Sequence, residues 1–199
     1  MEILAAKDWR RCWRQHGRRL GPCLQQVRVT EGASMAEDND PLRPRPTQDS
    51  RRFFMLPQAP IDSGYYVYGK LYGELAKGAY QYAHPTMMTS ILRVAFEWQV
   101  IDKRRIGIGD ISMAGGPKPP NHQSHRNGLQ VDIRPLRKDG LEEPVTWMES
   151  QYDSASTAKL IELFRTFAPV VRLFFNGPGI PFVIPLKNHD NHFHVELRG

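Results

Sequence analysis

Apolar and polar positions follow two rhythms along this chain, and the change of rhythm marks the elements. Leu129, Val131 and Ile133 alternate with Gln130 and Asp132. That period of two predicts a strand with one apolar face. The rhythm returns in His192–Leu197, where Phe193, Val195 and Leu197 oppose His192 and His194. Arg105–Ser112 and Val170–Phe175 read as two further strands, and Tyr65–Tyr68 as a strand or an aromatic substrate-facing loop. After His84-Pro85 the period lengthens. Met87, Ile91, Leu92, Ala95 and Phe96 recur at helical spacing, and Pro85 suits a first turn, where a missing N–H costs little. Residues 155–168 form a second helix, with Leu160, Ile161, Leu163, Phe164 and Phe167 as its apolar face. Helices beside several antiparallel strands predict an α+β domain.

Residues 64–199 are expected to form that domain, and residues 1–63 to be a basic extension and a Pro-rich linker that are poorly ordered. In residues 1–34, Trp9, Trp13, His16 and Leu20 recur at helical spacing among five arginines, Arg10, Arg11, Arg14, Arg18 and Arg19. They read as a basic amphipathic helix or as a disordered extension upstream of Met35. Pro41, Pro44, Pro46, Pro57 and Pro60 mark the linker.

Composition narrows the chemistry. The two cysteines, Cys12 and Cys23, both precede the domain, so a thiol nucleophile, a thiolate ligand and a disulfide framework are excluded from it. The net charge of +6 favours polyanions without choosing among them. No zinc-finger, RRM or helix-turn-helix pattern is present, so no nucleic acid is expected as partner. No apolar run approaches the roughly 20 residues of a transmembrane segment, and no secretory signal is recognised.

Five of the seven histidines fall in two short segments, His122-Gln-Ser-His125 and His189-Asp-Asn-His192-Phe-His194. Strand alternation puts His192 and His194 on one face and Asp132 on the polar face of its own strand. A straight strand would send His125 to the opposite side, but Asn127-Gly128 permits a turn that swings it back. His125, Asp132 and one histidine of the last strand would then form an N₂O ligand set. Such a set suits Zn²⁺ with an open fourth position, where a water becomes acidic enough to attack a carbonyl. HExxH is absent, and the spare histidine of the last strand could act as base.

These residues resemble a known family. The pattern H-x6-D followed by a distant H-x-H is similar to the lysostaphin / D-Ala-D-Ala metallopeptidase / hedgehog group. Ile108-Gly-Asp-Ile-Ser-Met-Ala-Gly-Gly116, His122-Gln-Ser-His125 through Asp132-Ile133, and His189-Asp-Asn-His192-Phe-His194-Val195 resemble its penicillin-insensitive murein endopeptidases, as does His84-Pro85 opening a helix. The resemblance implies a small antiparallel sheet of about four strands with flanking helices. It implies His125, Asp132 and His194 as zinc ligands and His192 as catalytic base or transition-state stabiliser, with His122 and His189 lining the site or holding a second metal. It implies peptidoglycan stem peptides as substrate, cut at D-Ala–meso-diaminopimelate cross-links in the periplasm. A D,D- or L,D-carboxypeptidase and a non-catalytic zinc-containing cell-wall-binding module are the alternatives. The family has a further Asp and His between its motifs. Here no histidine lies between His125 and His189, and Asp153 is the acid nominated in their place.

Overall fold

A computed structural model describes residues 47–58, 62–68, 70–71, 74–75, 80–118 and 124–199. Residues 1–34, the first part of the linker and His122 lie outside the described residues. The elements are β1 (Phe54–Met55), β2 (Tyr65–Val67), β3 (Lys70–Leu71), β4 (Glu74–Leu75), β5 (Tyr82–Ala83), α1 (Pro85–Ile101), β6 (Ile106–Ile108), β7 (Gln130–Ile133), α2 (Ser154–Phe167), β8 (Val170–Phe174) and β9 (Phe193–Leu197).

The α+β class holds, but the main sheet is larger than expected. It has five strands in the order β2-β6-β7-β9-β8, and two further two-stranded pairs, β1-β5 and β3-β4, stand apart from it. The sheet is also mixed, because β2 runs parallel to β6 while the other neighbours are antiparallel. The reason lies in the connection. Helix α1 intervenes between β2 and β6, and a crossover of that length lets two strands run the same way.

One face of the sheet is the core. Tyr65, Ile106, Ile108, Val131, Ile133, Leu173, Phe193, Val195 and Leu197 are all buried there. Helix α1 adds Met87, Ile91, Val94, Ala95 and Trp98, and α2 adds Leu160, Ile161 and Phe164. Burying each such side chain stabilises by about 1.5–3 kcal/mol. The helical face differs from expectation. Leu92 and Phe96 are 43% and 63% exposed, and Val94 and Trp98 take the inward positions. Trp98 is anchored by donating from its indole Nε1 to the carbonyl of Arg104 at 2.6 Å.

Both helices start on side-chain caps. His84 Nδ1 accepts from the Thr86 amide at 3.2 Å, ahead of Pro85. Asp153 caps α2, its Oδ1 accepting from the Ser156 amide at 3.0 Å. Asp153 is therefore a helix cap. Arg104 ties the helices together, reaching Asp102 at the end of α1 (2.5 Å) and Asp153 (2.9 Å).

The described part of the expected linker packs on the domain. Phe54–Met55 pairs antiparallel with Tyr82–Ala83, and Leu56 is fully buried. Its polar residues fold it locally. Arg51 pairs with Asp49 at 2.6 Å and donates to the carbonyls of Arg126 (2.5 Å) and Met113 (2.7 Å). Polar, Pro-rich composition points to disorder, but here the charges satisfy the backbone of a neighbouring loop.

Candidate metal centre

The outer face of the five-stranded sheet carries the chemistry. Asp132 on β7 and His194 on β9 are direct register partners, so their side chains stand together. His194 Nδ1 lies 2.9 Å from Asp132 Oδ1. His125 reaches the same oxygen from the loop before β7, with Nε2 at 3.3 Å. A chain reversal brings it there, with positive φ at His125 (63°) and Gly128 (68°). A side chain at Gly128 would also put a Cβ 2.6 Å from the backbone nitrogen of His84, which donates to the Gly128 carbonyl at 3.0 Å. The turn expected at Asn127-Gly128 therefore exists, and only glycine suits both its conformation and its closeness.

His125, Asp132 and His194 are buried, and their ligand atoms lie within 4.8 Å of one another, so the group could hold a metal ion. The proton pattern fits that role. His125 Nδ1 is 3.1 Å from the carbonyl of Ile111, which only accepts. The ring therefore places its N–H on Nδ1 and turns Nε2 toward the Asp132 carboxylate. Nε2 is thus the nitrogen left to share a cation or a proton with that carboxylate.

The electrostatics agree. Burial alone would raise the Asp132 pKa, but the charge and hydrogen bond of His125, with the hydrogen bond of His194 and the charge of His192, hold it well below the usual range. Burial likewise presses on His125, yet the Asp132 carboxylate outweighs it and raises that pKa. In His194 and His192 burial prevails and the pKa falls, with Asp132 offsetting only part.

His192 stands at the open edge, its side chain 22% exposed and Nε2 3.7 Å from Asp132 Oδ1. Its Nδ1 lies 2.9 Å from Asn191 Oδ1. His189 joins the group, its ring centroid 4.8 Å from that of His192 and 5.9 Å from that of His194. Of the residues singled out in the sequence, the structure thus gathers His125, Asp132, His189, His192 and His194.

Other candidates fall elsewhere. His84 is a helix cap and Tyr65 is core. Asp110 supplies a backbone carbonyl to the Asp132 amide at 3.0 Å, and its carboxylate helps raise the His125 pKa.

Four participants carry no mark in the sequence pattern as read above. Phe174 is the register partner of His194 and packs on both His189 and His194 at 5.8 Å. Alternation with Leu173 and Phe175 is signal enough to find it. Asp190 holds the histidine loop, accepting from Trp147 Nε1 and Asn176 Nδ2 at 2.9 Å each. Those bonds, Asn176 first, lower its pKa. Trp147 and Asn176 have no local signal, since they meet Asp190 only in the fold.

The comparison with known families adds an independent observation. Residues 72–167 match the penicillin-insensitive murein endopeptidase family. That is the family the sequence resembles. The matched stretch contains His125 and Asp132 and ends before the last strand with His192 and His194. No curated protein matches the chain. Among the described residues no helix is long and apolar enough to cross a membrane.

Proposed function

We propose that this protein is a zinc-dependent endopeptidase acting on peptidoglycan cross-links of the D-Ala–meso-diaminopimelate type. The family match supports peptidoglycan hydrolysis. The observation that carries the metallopeptidase reading is the buried His125/Asp132/His194 group with His192 at its open edge.

In this reading two imidazoles and one carboxylate hold Zn²⁺ and leave room for substrate. Bound there, zinc supplies a Lewis acid for the scissile carbonyl and an acidified water to attack it. The ionised Asp132 balances part of the cation's charge. The Ile111 carbonyl fixes which nitrogen His125 presents. His192, partly exposed at the rim, takes the proton from the attacking water and returns it to the leaving amine. Phe174 backs His189 and His194 and keeps bulk water from that side. His189 lines the site beside His192. The substrate places the site of action in the periplasm.

The test joins metal analysis to mass spectrometry of digested cross-linked muropeptide dimers. About one zinc per chain is expected, with dimers converted to monomers and activity lost on chelation. Full activity in excess chelator would overturn the zinc mechanism. Loss of a single alanine from intact dimers would make the enzyme a carboxypeptidase instead.

A further inference from the structure

The sheet face that bears the histidines continues past them into a feature the reaction above does not use. Gly107 and Gly109 lie on this face, where a side chain would otherwise stand. A Cβ at Gly107 would come 2.7 Å from the Tyr66 hydroxyl, and one at Gly109 would come 2.6 Å from Tyr68 Cζ. The two glycines therefore let both tyrosine rings lie down across β6 toward β7. There they meet Arg134. Its guanidinium carbon sits 4.1 Å above the Tyr68 ring and 6.0 Å from the centre of the Tyr66 ring. Its Nη1 donates to the backbone carbonyl of Glu142 at 2.7 Å.

These partners are neutral. By contrast, the nearby Arg104, Arg105 and Arg137 each pair with a carboxylate, Asp102, Glu142 and Asp139 respectively. A shallow surface depression opens at this point, lined among others by Tyr66, Arg105, Gly107, Arg134 and Leu141. The histidines lie outside it. Arg134 connects the two places, since it follows Asp132 by two residues just past the end of β7, where its amide still donates to the Gly107 carbonyl at 3.1 Å.

We infer that Arg134, laid on its tyrosine shelf, binds a free carboxylate of the substrate beside the scissile bond and so determines specificity. A guanidinium stacked on an aromatic ring is weakly hydrated and offers a planar fork that matches a carboxylate bidentately. In a cross-link made through diaminopimelate, the carbon bearing the scissile amide nitrogen also bears a carboxylate, one residue length or about 3.6 Å from the attacked carbonyl, and an arginine two positions from Asp132 has a side chain long enough to reach it. A lysine-type cross-link has no such group. The inference rests on the peptidase reading above, and it names which cross-links that site accepts.

The test compares cross-linked dimers whose diaminopimelate carboxylate is free or amidated, using wild type, Arg134→Gln and Arg134→Lys. The wild type is expected to favour the free carboxylate by about 10–100-fold in KM, the range of a charge-assisted pair. Arg134→Gln raises KM for the free dimer to the level of the amidated one and leaves kcat nearly unchanged. Arg134→Lys restores part of the preference. An Arg134→Gln enzyme that keeps the wild-type preference overturns the inference and leaves the peptidase reading standing. Equal losses on both dimers, with a lowered thermal midpoint, reduce Arg134 to a structural part and also overturn it. A second arm titrates N-acetyl-D-alanine and its amide by NMR. Arg134-dependent binding of the free acid, without cleavage of either dimer, upholds the subsite and overturns the peptidase reading.

Discussion

Two charged clusters in this molecule are built from similar parts and serve different ends. In one, Asp132 receives His125, His194 and, farther off, His192. In the other, Arg104 receives Asp102 and Asp153 and adds the Ser156 hydroxyl at 2.7 Å and the Arg137 carbonyl at 2.7 Å. The arginine is always charged and all its N–H groups point at acceptors, so its cluster is closed. It joins the end of α1 to the start of α2. The histidines keep lone pairs, so their cluster has unused valence toward a cation or a proton. Both clusters would look alike as lists of charges. The side-chain type at the centre, and whether its hydrogen bonds are complete, separates the site from the brace.

Substitutions can break or sharpen this contrast. The largest effect is expected from Asp132→Asn, which keeps the shape and removes the charge. Cleavage should fall by at least about a thousandfold, with loss of bound metal at equilibrium. Calorimetric zinc titration with a muropeptide assay reads both, and a variant that still binds zinc tightly would remove Asp132 from the ligand set. Next comes His192→Ala. Turnover should drop by about 10²–10⁴-fold, as for loss of a general base, while zinc content stays at the wild-type level. Wild-type turnover would show that some other group moves the proton.

Arg104→Met tests the brace and should do the reverse. We expect a loss of about 2 kcal/mol in stability, a thermal midpoint lower by about 4–8 °C, and unchanged zinc content. A variant that instead lost its zinc would join the two clusters into one unit.

The smallest effect concerns pH. Arg104 holds the Asp102 pKa below the usual 3.8, and at Asp153 burial pushes the other way but is outweighed by the Ser156 amide and Arg104. Depressed carboxylates stabilise the fold fully above pH 3.8, and that contribution drains away as pH falls through the folded values. Thermal midpoints of the wild type should therefore drop below about pH 4. Those of Arg104→Met should drop less, because its carboxylates have no such partner to lose. Parallel pH curves for the two proteins would deny the brace its electrostatic part.

Much of the site is legible in the order of the residues. Alternation in Gln130–Ile133 and Phe193–Leu197 separates Asp132 and His194 from Val131, Ile133, Phe193 and Val195, because a strand repeats every two residues whatever its partners are. Helix positions are less legible. Leu92 and Phe96 are apolar and well spaced, yet Val94 and Trp98 are the buried pair, since the packing partners decide which arc of a helix turns inward. The segment around Arg51 and Leu56 reads as a disordered linker but packs on the domain. Composition measures average polarity and not the particular acceptors an arginine finds.

By itself, the sequence determined the inventory: histidines in two groups, a carboxylate on a polar strand face, glycine where the chain must turn, and no thiol in the domain. Only the tertiary structure decided which of these meet. The β7–β9 register sets His194 rather than His192 opposite Asp132. The reversal through Gly128 delivers His125 to the same oxygen. The bare positions at Gly107 and Gly109 let two tyrosines reach Arg134. The physical reason is range. Alternation and turn preference are local properties of a few consecutive residues, whereas strand register and close approach are fixed by hydrogen bonds and packing between segments far apart in the chain.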